Sequence, residues 1–159
     1  MARGREAKDD GIKVIATHRK ARHQYDILET FEAGMVLLGT EVKALRDNRC
    51  DLSGAFAVLD GEEVFIKGME IGEYVQANRQ NHEPRRKRKL LLHRREIRKL
   101  KTKIRERGFT LVPLRVYFKA SLAKIEIAVA KGRKTHDRRE ATAKREAQRE
   151  MARAVGRRR

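Results

Sequence analysis

FTLVPLRVYFKASLAKIEIAVA, residues 109–130, alternates apolar side chains with a period of two on either side of a short break. Successive side chains of a strand point to opposite faces, so Val112, Leu114, Val116 and Phe118 share one face of Phe109–Lys119. Ile125, Ile127 and Val129 share one face of Leu122–Ala130. Upstream, Ile97, Leu100 and Ile104 recur at helical spacing, so His93–Arg107 reads as an amphipathic helix ended by Gly108. Ser53–Ile66 reads as a hairpin: Phe56–Leu59, an Asp60-Gly61 turn that tolerates positive φ, then Val64–Ile66. Met69–Val75 offers another short strand, and Leu90–Leu92 a buried strand or a lid on the core. Tyr25–Leu28 and Gly34–Leu38 carry β-forming residues. Gly39-Thr40 opens a short helix with Thr40 as its cap and Val42 and Leu45 following at helical spacing. These elements give a small mixed fold with a curled or closed antiparallel sheet, and periodicity does not choose between a barrel and an open sandwich.

At 159 residues the chain fits one domain. Its 40 Lys and Arg against 22 Asp and Glu leave a formal charge of +18, an excess that folding does not require and self-repulsion opposes. A polyanionic partner resolves this, nucleic acid first and an anionic membrane surface second. No apolar run is long enough to span a bilayer, and MARGREAKDD lacks the apolar stretch of a secretory signal. The single cysteine, Cys50, fits a reducing cytosol and reads as an inert filler, because reactive thiols need a supporting base. Residues 1–25 carry +4, Asp26–Glu83 −7, Pro84–Arg107 +11, Gly108–Lys131 +3 and Gly132–Arg159 +7. Such segregation suggests more than one RNA surface.

Two basic segments stand out. Arg85-Arg86-Lys87-Arg88-Lys89 places five cations in succession, which repel one another and call for phosphates. Gly132–Arg159 holds only Met151 and Val155 as larger aliphatics and cannot bury enough apolar area to offset its ordering entropy. Neither Pro nor Gly interrupts Thr135–Val155, so the segment is expected to be disordered alone and to fold on a polyanion.

No catalytic constellation is apparent. His18, His23, His82, His93 and His136 lie scattered among cations without metal-ligand spacing, Glu62-Glu63 reads as a solvated pair, and no phosphate-binding glycine pattern occurs. The expectation is a protein that is not an enzyme and needs no cofactor or metal. A metal-free nuclease of His and Lys stays open at this point, because such a site assembles in three dimensions.

His18-Arg19-Lys20-Ala21-Arg22-His23-Gln24-Tyr25, Phe31-Glu32-Ala33-Gly34 and Gly39-Thr40-Glu41-Val42-Lys43-Ala44-Leu45-Arg46 resemble motifs of the SsrA-binding (small protein B) family. So do Arg88-Lys89-Leu90-Leu91-Leu92 with Arg94-Arg95-Glu96-Ile97, and the run Ala130–Arg139. The resemblance runs from about Ile15 to Arg153, and motifs in this order and register are highly specific. It implies an oligonucleotide-binding-type β-barrel with about three embedded helices over residues 1–131 and a basic tail over residues 132–159. It further implies a cytoplasmic, monomeric protein whose partners are tmRNA, through its tRNA-like domain, and the small-subunit rRNA of stalled ribosomes. The tail would occupy the empty mRNA channel as a helix.

Residue by residue, the resemblance implies tmRNA contacts at Arg19, Lys20, Arg22, His23, Glu32, Lys43, Arg46, Arg88 and Lys89. Glu32 either accepts from a base amino or ribose hydroxyl group or pairs with one of those same cations, Arg19, Lys20 or Arg22. In the tail, Gly132, Arg133, Lys134, His136, Asp137, Arg138, Arg139, Lys144 and Arg145 match the segment placed at the decoding region and channel. His136 offers a stacking ring there, and Asp137 either contacts RNA or caps the induced helix. The chain departs from the family pattern at His18, where Asn is usual, at Arg138 for Lys, and at Ala147 for Trp. A ribosomal or ribosome-assembly protein shares the basic balance and is the alternative.

Overall fold

The computed structural model describes residues 11–77, 80–106 and 108–156, without the side chains of residues 135 and 136. The elements in chain order are β1 (Ile12–Thr17), α1 (Ala21–Gln24), β2 (Tyr25–Met35), α2 (Gly39–Arg46), β3 (Cys50–Asp51), β4 (Phe56–Asp60) and β5 (Glu63–Lys67). There follow β6 (Glu70–Ile71), a single 3-10 turn at Val75–Ala77, β7 (Arg88–Leu91), α3 (Arg94–Ile104), β8 (Phe109–Lys119), β9 (Leu122–Gly132) and α4 (Thr135–Gly156). The fold is mainly β with four helices among the described residues.

The β8–β9 hairpin organises the sheet. Its strands pair from Phe109↔Lys131 to Lys119↔Leu122, so Ala120 and Ser121 form a two-residue turn. Both take positive φ, 47° and 64°, the geometry that matches strand twist in a tight hairpin. β9 continues to β2, then β7, β5 and β4, and β4 returns to β8 through Ala57↔Leu111, so six antiparallel strands close a ring. β1 lies outside it, on the C-terminal half of β8 between Arg115 and Lys119. β8 is long enough to serve β4 with its first half and β1 with its second.

Several expectations are corrected here. Tyr25–Leu28 and Gly34–Leu38 are not two strands: β2 runs unbroken from Tyr25 to Met35, sustained by its pairing with β9. Val112 and Leu114 do not share a face with Val116 and Phe118. A bulge between Pro113 and Arg115 inverts the alternation, a position where a strand tolerates proline. Leu111, Val116 and Phe118 therefore enter the ring with Ile125, Ile127 and Val129, while Val112 and Leu114 pack outside it with Ala21, Ala128 and Ala130. The β4–β5 loop is Gly61-Glu62 rather than Asp60-Gly61, since Asp60 still pairs with Glu63 and Gly61 alone takes the positive φ of 62°. The β1 strand was not expected at all. The helix expected to reach Arg107 ends at Ile104, and position 107 lies outside the described residues.

Helix α3 drops Ile97 and Leu100 into the ring interior. Helix α2 lies over β6, and its N-terminus is capped otherwise than expected. Leu38 is the N-cap, and its N–H donates to the Glu41 carboxylate at 2.8 Å. Thr40 instead uses its hydroxyl on His82, 3.0 Å away. The Ile71 carbonyl, 2.9 Å from His82 Nε2, can only accept, so that nitrogen carries a proton.

Glu41 is fully buried, and so is Arg88. The carboxylate accepts from Arg88 Nε at 2.8 Å, from Arg86 Nε and Nη2 at 2.7 Å each, and from Leu38 N–H. Arg88 also donates to the carbonyls of Met69, Arg86 and Pro84. Each Ile or Val of the interior contributes about 1.5–3 kcal/mol, so apolar burial supplies the stability. The ion cluster supplies placement, since a buried pair roughly offsets its own desolvation while losing one partner costs about 3–5 kcal/mol.

Glu41→Ala is accordingly expected to lower unfolding free energy by about 3–5 kcal/mol in urea titrations. Arg85→Ala, which removes an exposed pair with Glu70, is expected to cost less than about 1 kcal/mol. Burial pushes the Glu41 carboxyl up, but the Arg86 guanidinium, the Leu38 N–H and Arg88 outweigh it and hold it below its ordinary 4.5. A depressed carboxyl stabilises the fold above its unfolded pKa, so this contribution is full above about pH 4.5 and is lost as pH falls further through the folded value. Glu41→Ala should flatten stability against pH in that acid range, read from urea midpoints.

Candidate nucleic-acid interface

The segment after β1 is pinned over the bulge of β8. His18 N–H donates to the Leu114 carbonyl at 2.7 Å, and its Nδ1 donates to the Pro113 carbonyl at 3.1 Å. An Asn amide is also a donor, which gives a physical reason why His18 can stand where the family pattern has Asn. The four-residue α1 then projects Arg19, Lys20 and Arg22 into solvent, and among the described residues none of the three has an acidic partner. Arg19 and Arg22 line a cleft of about 290 Å³ with Thr17, His18, Leu114, Arg115 and Glu126. Arg19 and Lys20 line a second one with Gln24, Asp51 and Ser53.

The cation run reads differently. Arg85 pairs with Glu70 at 2.8 Å, Arg86 and Arg88 with Glu41, Lys87 with Asp60 at 3.5 Å, and Lys89 with Glu63 at 2.5 Å. Lys87 also sits over the Phe65 ring, 4.0 Å from its centroid. All four carboxylates come from the acidic stretch Asp26–Glu83. Arg88, expected to face RNA, is wholly buried and cannot, because its guanidinium completes the Glu41 cluster. Lys89 remains partly exposed but is matched by Glu63. Lys43 and Arg46 are exposed on α2, Lys43 above the Tyr74 ring at 5.4 Å and Arg46 beside β1, its carbonyl accepting from Lys13.

Glu32 pairs with none of the cations considered for it. Its Oε2 accepts from the Tyr117 hydroxyl and lies 3.5 Å from Lys119 Nζ. The Tyr117 hydrogen bond, helped by Lys119 and Lys124 against burial, holds the Glu32 carboxyl below its ordinary value. Burial and the Glu32 charge push Tyr117 up in turn. Beside Glu32, a cleft of Gly34, Leu91, Leu92, His93, Glu96 and Lys124 opens to solvent. Leu91 is 52% exposed while Leu90 is buried, because β7 alternates and turns Leu91 outward over Gly34. Sequence reasoning missed Leu91, His93 and Lys124; the one available signal was a strand-like triplet whose middle residue must face away from the core.

The tail begins against α1. Arg133 N–H donates to the Gln24 carbonyl at 2.9 Å, and its Nε pairs with Asp26 at 2.6 Å. Asp137 accepts from the Lys134 N–H at 3.4 Å, a weak cap at the head of α4. His23, half-buried, shares a cleft with Arg138, Arg139, Thr142, Ala143 and Glu146. Residues assigned to two separate RNA surfaces thus meet at one junction. Gly132 ends β9 in the open, the His136 side chain lies outside the described residues, and residues 142–156, including Lys144, Arg145 and Ala147, are exposed throughout. Burial pushes the Cys50 thiol up to about 12 despite the nearby Arg88 cation, which makes it a poor nucleophile. Among the described residues no helix is long and apolar enough to cross a membrane, and no three His, Cys, Asp or Glu gather as a metal site.

A family model described as SmpB protein matches residues 15–157. The chain is 60% identical over 151 residues to the SsrA-binding protein of Salinispora arenicola (strain CNS-205), covering 95% of both sequences. It is 53% identical over 152 residues to the SsrA-binding protein of Acidothermus cellulolyticus (strain ATCC 43068 / DSM 8971 / 11B), covering 96% of both. A chain of the solved structure described as "tmRNA-SmpB: a journey to the center of the bacterial ribosome" superposes with a TM-score of 0.65. It shares 45% identity and covers 76% of this chain and 85% of that one.

Neutralising Arg19, Lys20 and Arg22 together is expected to weaken binding to structured RNA and to reduce the slope of log affinity against log salt by about 3. Neutralising Arg85, Lys87 and Lys89 should change that slope by less than about 1, since their charges are met internally. Filter-binding titrations across a salt series separate the two; equal changes would contradict the sorting of cations drawn above.

Proposed function

The chain belongs to the SmpB protein family, and on that premise we propose that it binds the tRNA-like domain of tmRNA and delivers it to stalled ribosomes. It acts in trans-translation, the rescue of ribosomes left without a usable stop codon, in which the truncated product is tagged for proteolysis. The observation that carries this reading from the chain's own residues is the sorting of its cations. Arg19, Lys20 and Arg22 stay unmatched at the surface among the described residues, while the denser run at 85–89 is matched internally.

In this reading the ring of strands is an oligonucleotide-binding-type barrel, spanning residues 1–131, that stands in for the missing anticodon half of a tRNA. Arg19, Lys20 and Arg22 hold phosphates, Lys43 and Arg46 extend the patch, and Glu32 accepts from a base or ribose donor. His23 stacks on or hydrogen-bonds a looped-out base. Because His23 is half-buried beside α4, that contact needs the tail to swing off α1.

Residues 132–159 form the tail, and its helix α4 occupies the empty mRNA channel. Gly132, Arg133, Lys134, His136, Asp137, Arg138 and Arg139 meet the decoding region there, and Lys144 and Arg145 meet the channel. The protein works in the cytoplasm, as a monomer, by positioning RNA and not by bond chemistry.

Gel-shift titration at physiological salt against tmRNA, tRNA and an unrelated structured RNA tests the specific part: tmRNA is expected to bind most tightly, and equal affinity for all three would sink it. A chain ending at Lys131 is expected to keep tmRNA binding and to lose peptide tagging on stalled ribosomes in a reconstituted translation system. Loss of binding instead would mean that the two surfaces at the α1–α4 junction act as one.

A further inference from the structure

Tyr117 is 2% exposed, yet its hydroxyl reaches the solvent-facing Glu32. The two residues stand on β8 and β2 with β9 between them, so their backbones are about 10 Å apart and only long side chains can meet. Lys119 reaches the same carboxylate, but through four flexible methylenes; a tyrosine ring has two rotatable bonds and holds a fixed direction. The ring is braced further. The Arg115 guanidinium covers it 4.8 Å from the centroid, and Arg115 is itself held by Glu126 at 2.5 Å. In register, Arg115 and Glu32 both face Glu126 across β9, which makes Glu126–Arg115–Tyr117–Glu32 a continuous chain of contacts over three strands.

The contacts of Tyr117 and Lys119 both fall on Glu32 Oε2, which leaves Oε1 to accept from something else. Glu32 lines the cleft that also holds Gly34, Leu91, Leu92, His93, Glu96 and Lys124. Lys119 and Lys124 beside the carboxylate offset its repulsion of a phosphate backbone. We propose that Tyr117 is a positioning residue for RNA recognition: it fixes the Glu32 carboxylate so that Oε1 accepts from an exocyclic amine or a ribose 2′-hydroxyl of one nucleotide seated in this cleft. The proposal rests on the reading of Glu32 as a tmRNA contact. It adds the residue that makes a charged, mobile side chain into a directed acceptor.

The role is geometric and not electrostatic. Removing the hydroxyl returns the Glu32 carboxyl toward its ordinary 4.5, so the group stays ionised at neutral pH with or without Tyr117. An effect of Tyr117→Phe measured at pH 7.5 therefore reports direction, since charge is unchanged.

A double-mutant cycle on the full chain tests this, using gel-shift affinity for tmRNA and for an unrelated structured RNA, with thermal midpoints measured alongside. Tyr117→Phe is expected to weaken tmRNA binding about tenfold, the order of one hydrogen bond to a charged acceptor, and to leave binding to the unrelated RNA unchanged. Glu32→Gln is expected to weaken tmRNA binding at least as much, and adding Tyr117→Phe to it should bring no further loss. Wild-type affinity in Tyr117→Phe, or losses that simply add in the double variant, would overturn the positioning role while leaving Glu32 as a contact. Wild-type affinity in Glu32→Gln would overturn the Glu32 contact and the proposal with it. A loss of affinity for both RNAs that tracks a fall in thermal midpoint would mark Tyr117 as structural and overturn the proposal.

Discussion

A carboxylate without any exposure to water has to be answered by cations, and Glu41 is answered by two guanidinium groups, Arg86 from the loop before β7 and Arg88 from the head of β7. That demand sets much else. It draws Arg86 and Arg88 against the start of α2, where the same carboxylate also serves the Leu38 N–H. Arg88 then ties to the same point the Met69 carbonyl, just before β6, and the Pro84 carbonyl, late in the long connection between β6 and β7. With Arg88 turned inward at the head of β7, strand alternation sends Leu90 in and Leu91 out. The cleft beside Glu32 is therefore a downstream result of where Glu41 sits.

The electrostatics follow the same logic. A formal +18 suggests a surface basic everywhere, yet the densest run of cations is the best neutralised. The acidic first half is the reason, for Glu41, Asp60, Glu63 and Glu70 each meet a member of that run. What stays open to a phosphate backbone is the set near α1, with Lys43 and Arg46 on α2, the exposed Arg94, Arg95, Arg98 and Lys99 on α3, and a tail too polar to pack. Internal pairing thus takes the densest cation run out of the charge left for an RNA partner.

How much of this was legible follows from which forces act locally. The β8–β9 hairpin, α3 and the β4–β5 hairpin announce themselves because period-two and helical spacing are properties of neighbouring residues. The bulge at Pro113 could be suspected from the proline, but which residues it turns outward depends on the register against β9. Ala120 and Ser121 carry no glycine signal, and the turn holds because the strands on either side dictate it. Arg88 was misread for a long-range reason. Its partner Glu41 lies 47 positions away, and no local pattern separates one fully buried cation from four that keep some exposure. Arg19, Lys20 and Arg22 are exposed, as an RNA-facing role needs, whereas the partners of Glu32 come from β8, far off in sequence. The family motifs located the conserved-looking segments without revealing which side chains each one spends inward.

The tail has a mechanical consequence. Its 22-residue helix is about 33 Å long, comparable to the width of a small domain, and beyond the cleft it shares with His23 it is exposed from position 147 to Gly156. Arg133, held by Asp26 and Gln24, sits at its base like a pin at a fulcrum. A rod of that length multiplies small rotations: a turn of about 10° at the base carries the tip about 6 Å. Whatever loosens or tightens the Arg133 pin is thereby amplified into displacement at Gly156, so a local change near α1 becomes a search over distance for a groove that fits the rod.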